Sequence, residues 1–336
     1  MDEQCHSPLF HIPFEVRDAI YSCLFTSTTL TFTTAVPYDD GSRAIFQPPM
    51  YPVALLRTCR RVNAEIAKSW LSQVLFHFND PMSMLDKLAA ISLEKLSLVR
   101  YIIVRGEPLM LTYPPKRQVQ HRLVGILKLL PRLQLRRLTV LGGRCDKYQY
   151  RMLDELVKYG NGWQELRFIS NTSEMLGYAY YCLDSTLRDR YQRRPQPEYW
   201  QSVMEERDGV QSNPSVLIYR ARRAGHRGDV LEPETRELIA QSHTKTPFPD
   251  DYEAAEDPVL MSENERGKEL MVVVRRGQCG VDYGEKVDSP LLPDRDIRRD
   301  FPGKTWLDIR RVCIEAAHTI EVVGPPSGLL RLRPLS

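Results

Sequence analysis

Apolar residues near the amino terminus recur at every fourth position, and this spacing predicts a helix. Val16, Ile20 and Leu24 are each four residues apart, so a helix would place them on one face. Pro13 precedes them at a position where the fixed φ of proline suits the first helical turn. A second apolar stripe follows between Pro52 and Trp70, and we predict that it forms the buried side of a second helix.

The segments on either side of this second helix have strand-like and loop-like patterns. The threonine-rich run from Thr26 to Thr34 predicts a short strand or an extended loop. The prolines between Val36 and Pro52 are typical of a loop. Alternating residues from Val74 to Phe78 predict a further strand.

From Asp80 onward, helical and strand-like patterns alternate along the chain. Asp80 followed by Pro81 predicts the start of a helix. Three helix–strand units are predicted, and their strands are Val99–Val104, Leu135–Leu141 and Leu166–Ile169. Strands joined through helices favour a parallel sheet.

An arginine followed by an apolar residue recurs in these three strands, at intervals of 37 and 30 residues. These intervals are near the period of curved helix–strand repeats. We therefore predict an α/β fold with irregular, leucine-rich-repeat-like units, and an α+β arrangement is the alternative.

The second half of the chain predicts a mixture of helices and strands. The ranges 173–207 and 232–239 have helical patterns, and so does the range 306–313. Met271–Val274 is typical of a strand, whereas the acidic, proline-bearing run 245–258 predicts an exposed loop. We divide the chain into a helical region with an inserted loop (1–79), the helix–strand units (80–172) and a mixed carboxyl-terminal region (173–336).

The amino-acid composition is that of an ordinary globular protein, and it argues against some classes of partner. Hydrophobic residues make up 42% of the 336 residues and charged residues 26%, while the net charge is only +3. Such a balance argues against nucleic acid and against an acidic membrane surface as partners. No apolar run approaches ~18 residues and no secretory leader is visible, so we expect no membrane span. Seven cysteines without a C-x-x-C pair favour a reducing, intracellular location, in the cytoplasm or nucleus.

No motif in the sequence indicates an enzyme, a cofactor or a metal site. No two of the seven histidines are four residues apart, so the helical zinc motif H-E-x-x-H is absent from the sequence. The nucleophile elbow G-x-S-x-G and the nucleotide fingerprint G-x-G-x-x-G are also absent. We predict a non-enzymatic protein without a cofactor. The alternative is a small-ligand or phosphate-binding protein that uses Arg275, Arg276 and the turn Gly277–Gly284.

Two sequence stretches resemble a large group of fungal F-box-like proteins. Ile12–Tyr21 (I-P-F-E-V-R-D-A-I-Y) is similar to the amino-terminal motif L-P-x-E-I-R-x-x-I-Y of that group, and Ala54–Glu65 is similar to its second helix. Phe76–Phe78 and Leu93–Arg100 also resemble that group, so the resemblance covers about the first third of the chain. It implies docking onto the Skp adaptor of a cullin-RING ubiquitin ligase, with a client protein held by the helix–strand units. Two features depart from true F-boxes: Arg17 stands at a position that is usually apolar in them, and a long loop separates the two helices.

If the resemblance extends to function, it implies a set of apolar residues on the two helices as the adaptor contact. These residues are Ile12, Pro13, Val16, Ile20, Leu24, Leu55, Leu56 and Cys59. The alternative is that the two helices only cap the following domain, in which case the same residues belong to the core. The sequence identifies neither the client nor the assembly state.

Overall fold

The computed structural model of the chain describes most of its residues. The described residues are 7–32, 54–58, 60–66, 69–113, 117–143, 146–177, 180–182, 190–192, 196–239, 260, 262–277, 281–286 and 296–313. The acidic run 245–258 and the carboxyl-terminal tail therefore lie outside the described residues.

Helices and strands alternate through most of the described ranges. The helices there are α1 (Pro8–His11), α2 (Phe14–Thr26), α3 (Leu55–Thr58), α4 (Arg60–Ile66), α5 (Pro81–Leu88), α6 (Leu93–Leu96), α7 (Leu123–Leu127), α8 (Asp146–Tyr159), α9 (Glu174–Gly177), α10 (Glu198–Asp208), α11 (Glu263–Arg266), α12 (Ile297–Asp300) and α13 (306–313). The strands are β1 (Thr29–Phe32), β2 (Leu75–Phe78), β3 (Tyr101–Arg105), β4 (Leu109–Tyr113), β5 (Arg117–His121), β6 (Leu135–Leu141), β7 (Trp163–Ser170), β8 (Tyr180–Cys182), β9 (Arg190–Gln192), β10 (Ser215–Ala224), β11 (Arg236–Ile239) and β12 (Lys268–Arg275).

An eight-stranded sheet in the order β1-β2-β3-β6-β7-β12-β10-β11 organises the molecule. The first five strands are parallel and lie side by side in chain order. The last three strands, β12, β10 and β11, are antiparallel to their neighbours. The predicted α/β class is confirmed, because helices connect the parallel strands. This one sheet takes strands from all three segments of the chain, and the leucine-rich-repeat-like character of the units stays a prediction.

One face of the sheet packs against the helices. Ile102 of β3, Val140 of β6 and Phe168 of β7 belong to the same buried core as Leu85 of α5 and Leu153 of α8. Successive side chains of a strand point to opposite faces. The other face of these strands therefore carries the residues between these apolar positions, among which are several arginines.

The helix predicted after Asp80 shows how local chemistry fixes a boundary. Asp80 is the N-cap of α5, and its carboxylate accepts a hydrogen bond from the Ser83 amide at 2.8 Å. Pro81 occupies the first turn, where no amide hydrogen is needed. Both features match the sequence-based prediction.

The structure corrects the predicted helices of the carboxyl-terminal segment. The helix predicted at 232–239 is wrong, because Arg236–Ile239 forms β11 and pairs with β10. The long helix predicted over 173–207 is also wrong, since β8 pairs with β9 inside this range and α9 and α10 are the helices among its described residues. Strand pairing with residues distant in sequence overrides the local helical periodicity at these places.

The helix predicted from Val119 begins later than expected. Arg117–His121 forms β5 and pairs with Leu109–Tyr113 of β4, so α7 begins only at Leu123. The helix predicted at 306–313 is confirmed as α13. Across the described ranges, none of the helices combines the length and the apolar character that crossing a bilayer requires.

Candidate functional site

The buried side of α2 differs from the one that the apolar spacing suggests. Arg17, Tyr21 and Phe25 are the buried residues of this helix. Tyr21 and Phe25 belong to the main core, together with Val62 and Ile66 of α4. The helix is therefore fixed to the body of the protein through positions 17, 21 and 25.

Arg17 joins α2 to α4 through a two-point contact with Glu65. Its Nε donates to Glu65 Oε2 at 3.1 Å and its Nη2 donates to Oε1 at 2.5 Å. Nη1 also donates to the Ile12 carbonyl at 2.6 Å, and the Tyr21 hydroxyl donates to Glu65 Oε2 at 3.2 Å. These hydrogen bonds raise the pKa of Arg17 and lower the pKa of Glu65. The charge at position 17, which departs from the F-box pattern, thus faces inward.

The apolar residues Val16, Ile20 and Leu24, which we call the α2 stripe, are on the surface of the molecule. Their exposed fractions are 48%, 45% and 39%. At 3.6 residues per turn they fall within an arc of about 80° beside the buried side of the helix. For these three residues, the alternative in which they belong to the core is wrong. Pro13, the N-cap of α2, is exposed as well.

The remaining predicted contact residues are less exposed or lie outside the described residues. Ile12 is half-buried. Leu55 and Leu56 are partly buried in α3 and pack against the main core, whereas Cys59 lies outside the described residues. Of the second predicted helix, Pro52 to Trp70, the described residues 55–58 and 60–66 are helical, whereas Trp70 begins a 3₁₀ turn, Trp70–Ser72, so the helical pattern ends before Trp70.

A second candidate site is a groove on the face of the sheet that carries the arginines. Its volume is about 640 Å³, and we call it the arginine groove. Its lining includes Tyr101, Arg137, Glu165, Ser215, Arg275 and Gly277. Of these residues, the sequence analysis names Arg275 and Gly277 as part of a ligand-binding site, and the strand register brings Arg137 and Glu165 beside Arg275.

Glu165 lies at the centre of three arginines in and beside this groove. Its carboxylate accepts hydrogen bonds from Nε of Arg137 and Arg167, both at 2.8 Å, and from Nε of Arg275 at 2.9 Å. Burial raises the pKa of the Glu165 carboxyl, but the guanidinium groups outweigh burial and lower that pKa to about 2. The carboxylate therefore stays ionised at any physiological pH.

Arg276, the other arginine of the predicted phosphate-binding turn, has a different environment. Its Nε and Nη2 donate to the two carboxylate oxygens of Asp208 at 2.9 and 2.6 Å. Both side chains are almost completely buried, and the guanidinium carbon of Arg276 lies 5.8 Å from the ring centroid of Trp163 and 5.3 Å from that of Tyr283. Arg275 and Arg276 thus do not converge on one ligand position. Residues 278–280 of the predicted turn lie outside the described residues.

The described residues contain no group of three or more His, Cys, Asp or Glu side chains that could hold a metal ion. Comparison of the chain with family models, with curated proteins and with solved structures finds no match. The chain has an α/β fold, and its two candidate functional surfaces are the α2 stripe and the arginine groove.

Proposed function

We propose that this chain is an F-box-like, non-enzymatic interaction protein. In this proposal the α2 stripe docks onto the Skp-type adaptor of a cullin-RING ubiquitin ligase, and the sheet holds a client protein. Because such ligases work inside the cell, the proposal places the protein in the cytoplasm or nucleus.

The observation that supports this proposal most directly is the exposure of the α2 stripe. Val16, Ile20 and Leu24 present aliphatic side chains at i, i+4 and i+8, which is the pattern of a helix that docks into an apolar groove of a partner. Burying such side chains at an interface contributes about 25 cal/mol per Å² of apolar surface removed from water.

The position of Arg17 also supports the proposal. An exposed arginine beside the stripe would have to be desolvated or paired when a partner covers the helix. Arg17 is instead turned toward Glu65 and the body of the protein. The departure from the F-box pattern therefore leaves the docking surface apolar.

The test is binding of the purified full-length chain to purified Skp adaptor, measured by pull-down and calorimetry. The double variant Val16→Asp, Ile20→Asp places two charges in the stripe without changing the buried side of α2. The matched control is Leu307→Asp, because Leu307 is a similarly exposed apolar residue, 52% exposed, on α13. We expect the wild type and the control to bind and the stripe variant to lose binding. Thermal unfolding of all three proteins checks that each is folded.

Failure of the folded wild type to bind the adaptor would overturn the proposal. Equal loss of binding in the stripe variant and in Leu307→Asp would also contradict it, since the loss would then not depend on α2. In either case the amino-terminal helices would serve the fold alone.

The second candidate function is binding of a small anion, without a role in ubiquitin transfer. The observation that favours it is the cationic lining of the arginine groove, where Arg275 is about half exposed. Thermal-shift measurements with inorganic phosphate and with nucleotides test this function. A rise in Tm that the variant Arg275→Gln abolishes would support it, and no rise with any of these anions would refute it.

A further inference from the structure

A row of charged residues crosses three neighbouring strands on the arginine face of the sheet. Arg137 of β6 and Arg275 of β12 are both in register with Glu165 of β7, which lies between them. Neighbouring strands are about 4.8 Å apart, so the two arginines flank the glutamate at a separation of roughly 10 Å. Arg167 lies two residues further along β7 and therefore points to the same face.

The positive charge of this row exceeds its negative charge. Three guanidinium groups share one carboxylate, and each of them donates its Nε to Glu165. Within the part of the chain that the structure describes, the terminal Nη groups of Arg137 and Arg275 have no hydrogen-bond partner, and the two side chains are 40% and 51% exposed. Each guanidinium can thus still present its two terminal NH₂ groups to an anion.

Mutual repulsion of the arginines is consistent with this excess. Burial lowers the pKa of Arg167, and the nearby positive charge of Arg137 lowers it further. Arg136 adds another positive charge at the groove. An incoming carboxylate would relieve this repulsion and would accept paired hydrogen bonds from a guanidinium group.

The walls of the groove suit a peptide main chain. Gln211, Ser212 and Asn213 of the turn beside the sheet are among its lining residues, and they carry polar side chains and backbone groups that can donate and accept hydrogen bonds. The wall formed by the turn 209–213 is held against Gly277, whose φ is +81° and at which a Cβ atom would lie 1.6 Å from the Ser212 carbonyl oxygen. This close approach fixes the distance between the wall and the sheet.

The aromatic content of the groove argues for a peptide over single-stranded nucleic acid. Proteins that bind single strands stack successive bases on several aromatic side chains. Among the described lining residues, Tyr101 is the one aromatic side chain, and the Arg137 guanidinium lies over its ring at 5.9 Å. A ladder of stacked bases therefore has no platform in this groove.

We infer that the arginine groove binds an extended peptide segment that carries several carboxylate side chains. The identification of this segment as part of the client rests on the proposed function, whereas the binding itself does not. The ligand class follows from the charge of the row, the exposed guanidinium groups and the polar walls.

The experiment measures fluorescence anisotropy of a fluorescein-labelled polyglutamate peptide titrated with the full-length chain. A polylysine peptide and a single-stranded oligoadenylate are measured in parallel. The test variant is Arg137→Gln with Arg275→Gln, and the matched control is Arg266→Gln, because Arg266 is also about half exposed and also pairs with a glutamate, Glu174. We expect polyglutamate to bind the wild type and the control, and to bind the test variant at least about tenfold more weakly.

The variant Glu165→Gln is expected to change the affinity for polyglutamate in the opposite direction. Removing the one carboxylate of the row raises its positive charge, so we expect polyglutamate to bind this variant several-fold more tightly. Weaker binding to Glu165→Gln would contradict the inference, and so would equal losses in the test variant and in Arg266→Gln. Binding of oligoadenylate without polyglutamate would also overturn it, in favour of nucleic acid.

The outcome is separable from that of the adaptor experiment. The groove variants leave the α2 stripe unchanged, so they are expected to retain adaptor binding. If polyglutamate binds and the adaptor does not, the peptide site stands and its interpretation as a client site falls. If the adaptor binds and polyglutamate does not, the peptide site is refuted and the docking proposal stands.

Discussion

The buried pair of Arg276 and Asp208 allows a prediction whose size follows from the structure. Replacing Arg276 by methionine keeps most of the stem of the side chain but leaves the Asp208 carboxylate, 3% exposed, without its two-point partner. Removal of one member of a buried ion pair typically costs about 3–5 kcal/mol. Arg207 Nε, at 3.7 Å from Asp208 Oδ1, offsets part of the remaining charge. We therefore expect a loss near the lower end, about 3 kcal/mol, in the free energy of unfolding.

The reverse change and the double variant complete the argument. Asp208→Leu leaves a buried guanidinium without its carboxylate, and we expect a similar loss of about 3 kcal/mol. The double variant Arg276→Met, Asp208→Leu leaves neither charge unpaired, so it is expected to be no less stable than either single variant. The coupling energy of the cycle is then about 3 kcal/mol.

Urea unfolding, read as a shift of the midpoint at constant slope, measures each corner of this cycle. The matched control is Arg266→Met, which breaks a half-exposed pair with Glu174 and is expected to change the unfolding free energy by less than about 1 kcal/mol. An unfolding midpoint of Arg276→Met equal to that of the wild type would refute the reasoning. Additive losses in the double variant would refute it too, because the two side chains would then act independently.

Three further predictions concern single residues. Gly277→Ala is expected to lower Tm and to weaken polyglutamate binding, because its Cβ would meet Ser212 at a φ that disfavours side chains; an unchanged Tm would contradict this. The folded-state pKa of Glu165, about 2, lies below its ordinary value of 4.5, so its contribution to stability is present above about pH 4.5 and is lost as the pH falls toward 2. Unfolding measured across this range should be less pH-dependent in Glu165→Gln, and equal slopes would be the contrary result. Cys23, which is exposed, should react with iodoacetamide in the native protein before the buried Cys313, whose pKa burial raises, and peptide mass mapping gives the order.

The sequence predicts those parts of the fold in which neighbouring residues decide the structure. The strand at Leu135–Leu141 has the predicted bounds, and α5 begins at the predicted cap, Asp80. The apolar run Met271–Val274 lies within β12. Such elements are signalled by local chemistry, because a cap, a proline or a β-branched run acts within a few residues.

Elements that depend on distant partners could not be predicted in this way. β10 joins the apolar run Val216–Tyr219 to an arginine-bearing end, and the sequence analysis predicts no strand there. β11 has a helical pattern, yet it pairs in the antiparallel direction with β10. Both strands are stabilised by pairing with neighbouring strands of the sheet. The periodicity of the local sequence does not reveal these partners.

The two candidate surfaces also combine features that the local sequence predicts with features that depend on tertiary packing. The spacing of Val16, Ile20 and Leu24 showed that they share a face, but only the packing of α2 shows that this face is exposed. The arginine groove depends on the register that brings Arg137 and Arg275 beside Glu165, residues that are far apart in the chain. The spacing of these three residues along the sequence does not predict that they lie side by side in the sheet.

The inward direction of Arg17 has a consequence for evolutionary change in this chain. An apolar residue at position 17 would leave the Glu65 carboxylate with Tyr21 and Arg61 as its remaining hydrogen-bond donors among the described residues. Conversely, loss of Glu65 would leave a guanidinium enclosed between α2 and α4. The two positions are therefore expected to be exchanged together, as a charged pair or as an apolar pair. Joint variation at positions 17 and 65 would then identify related chains that keep this junction between α2 and α4.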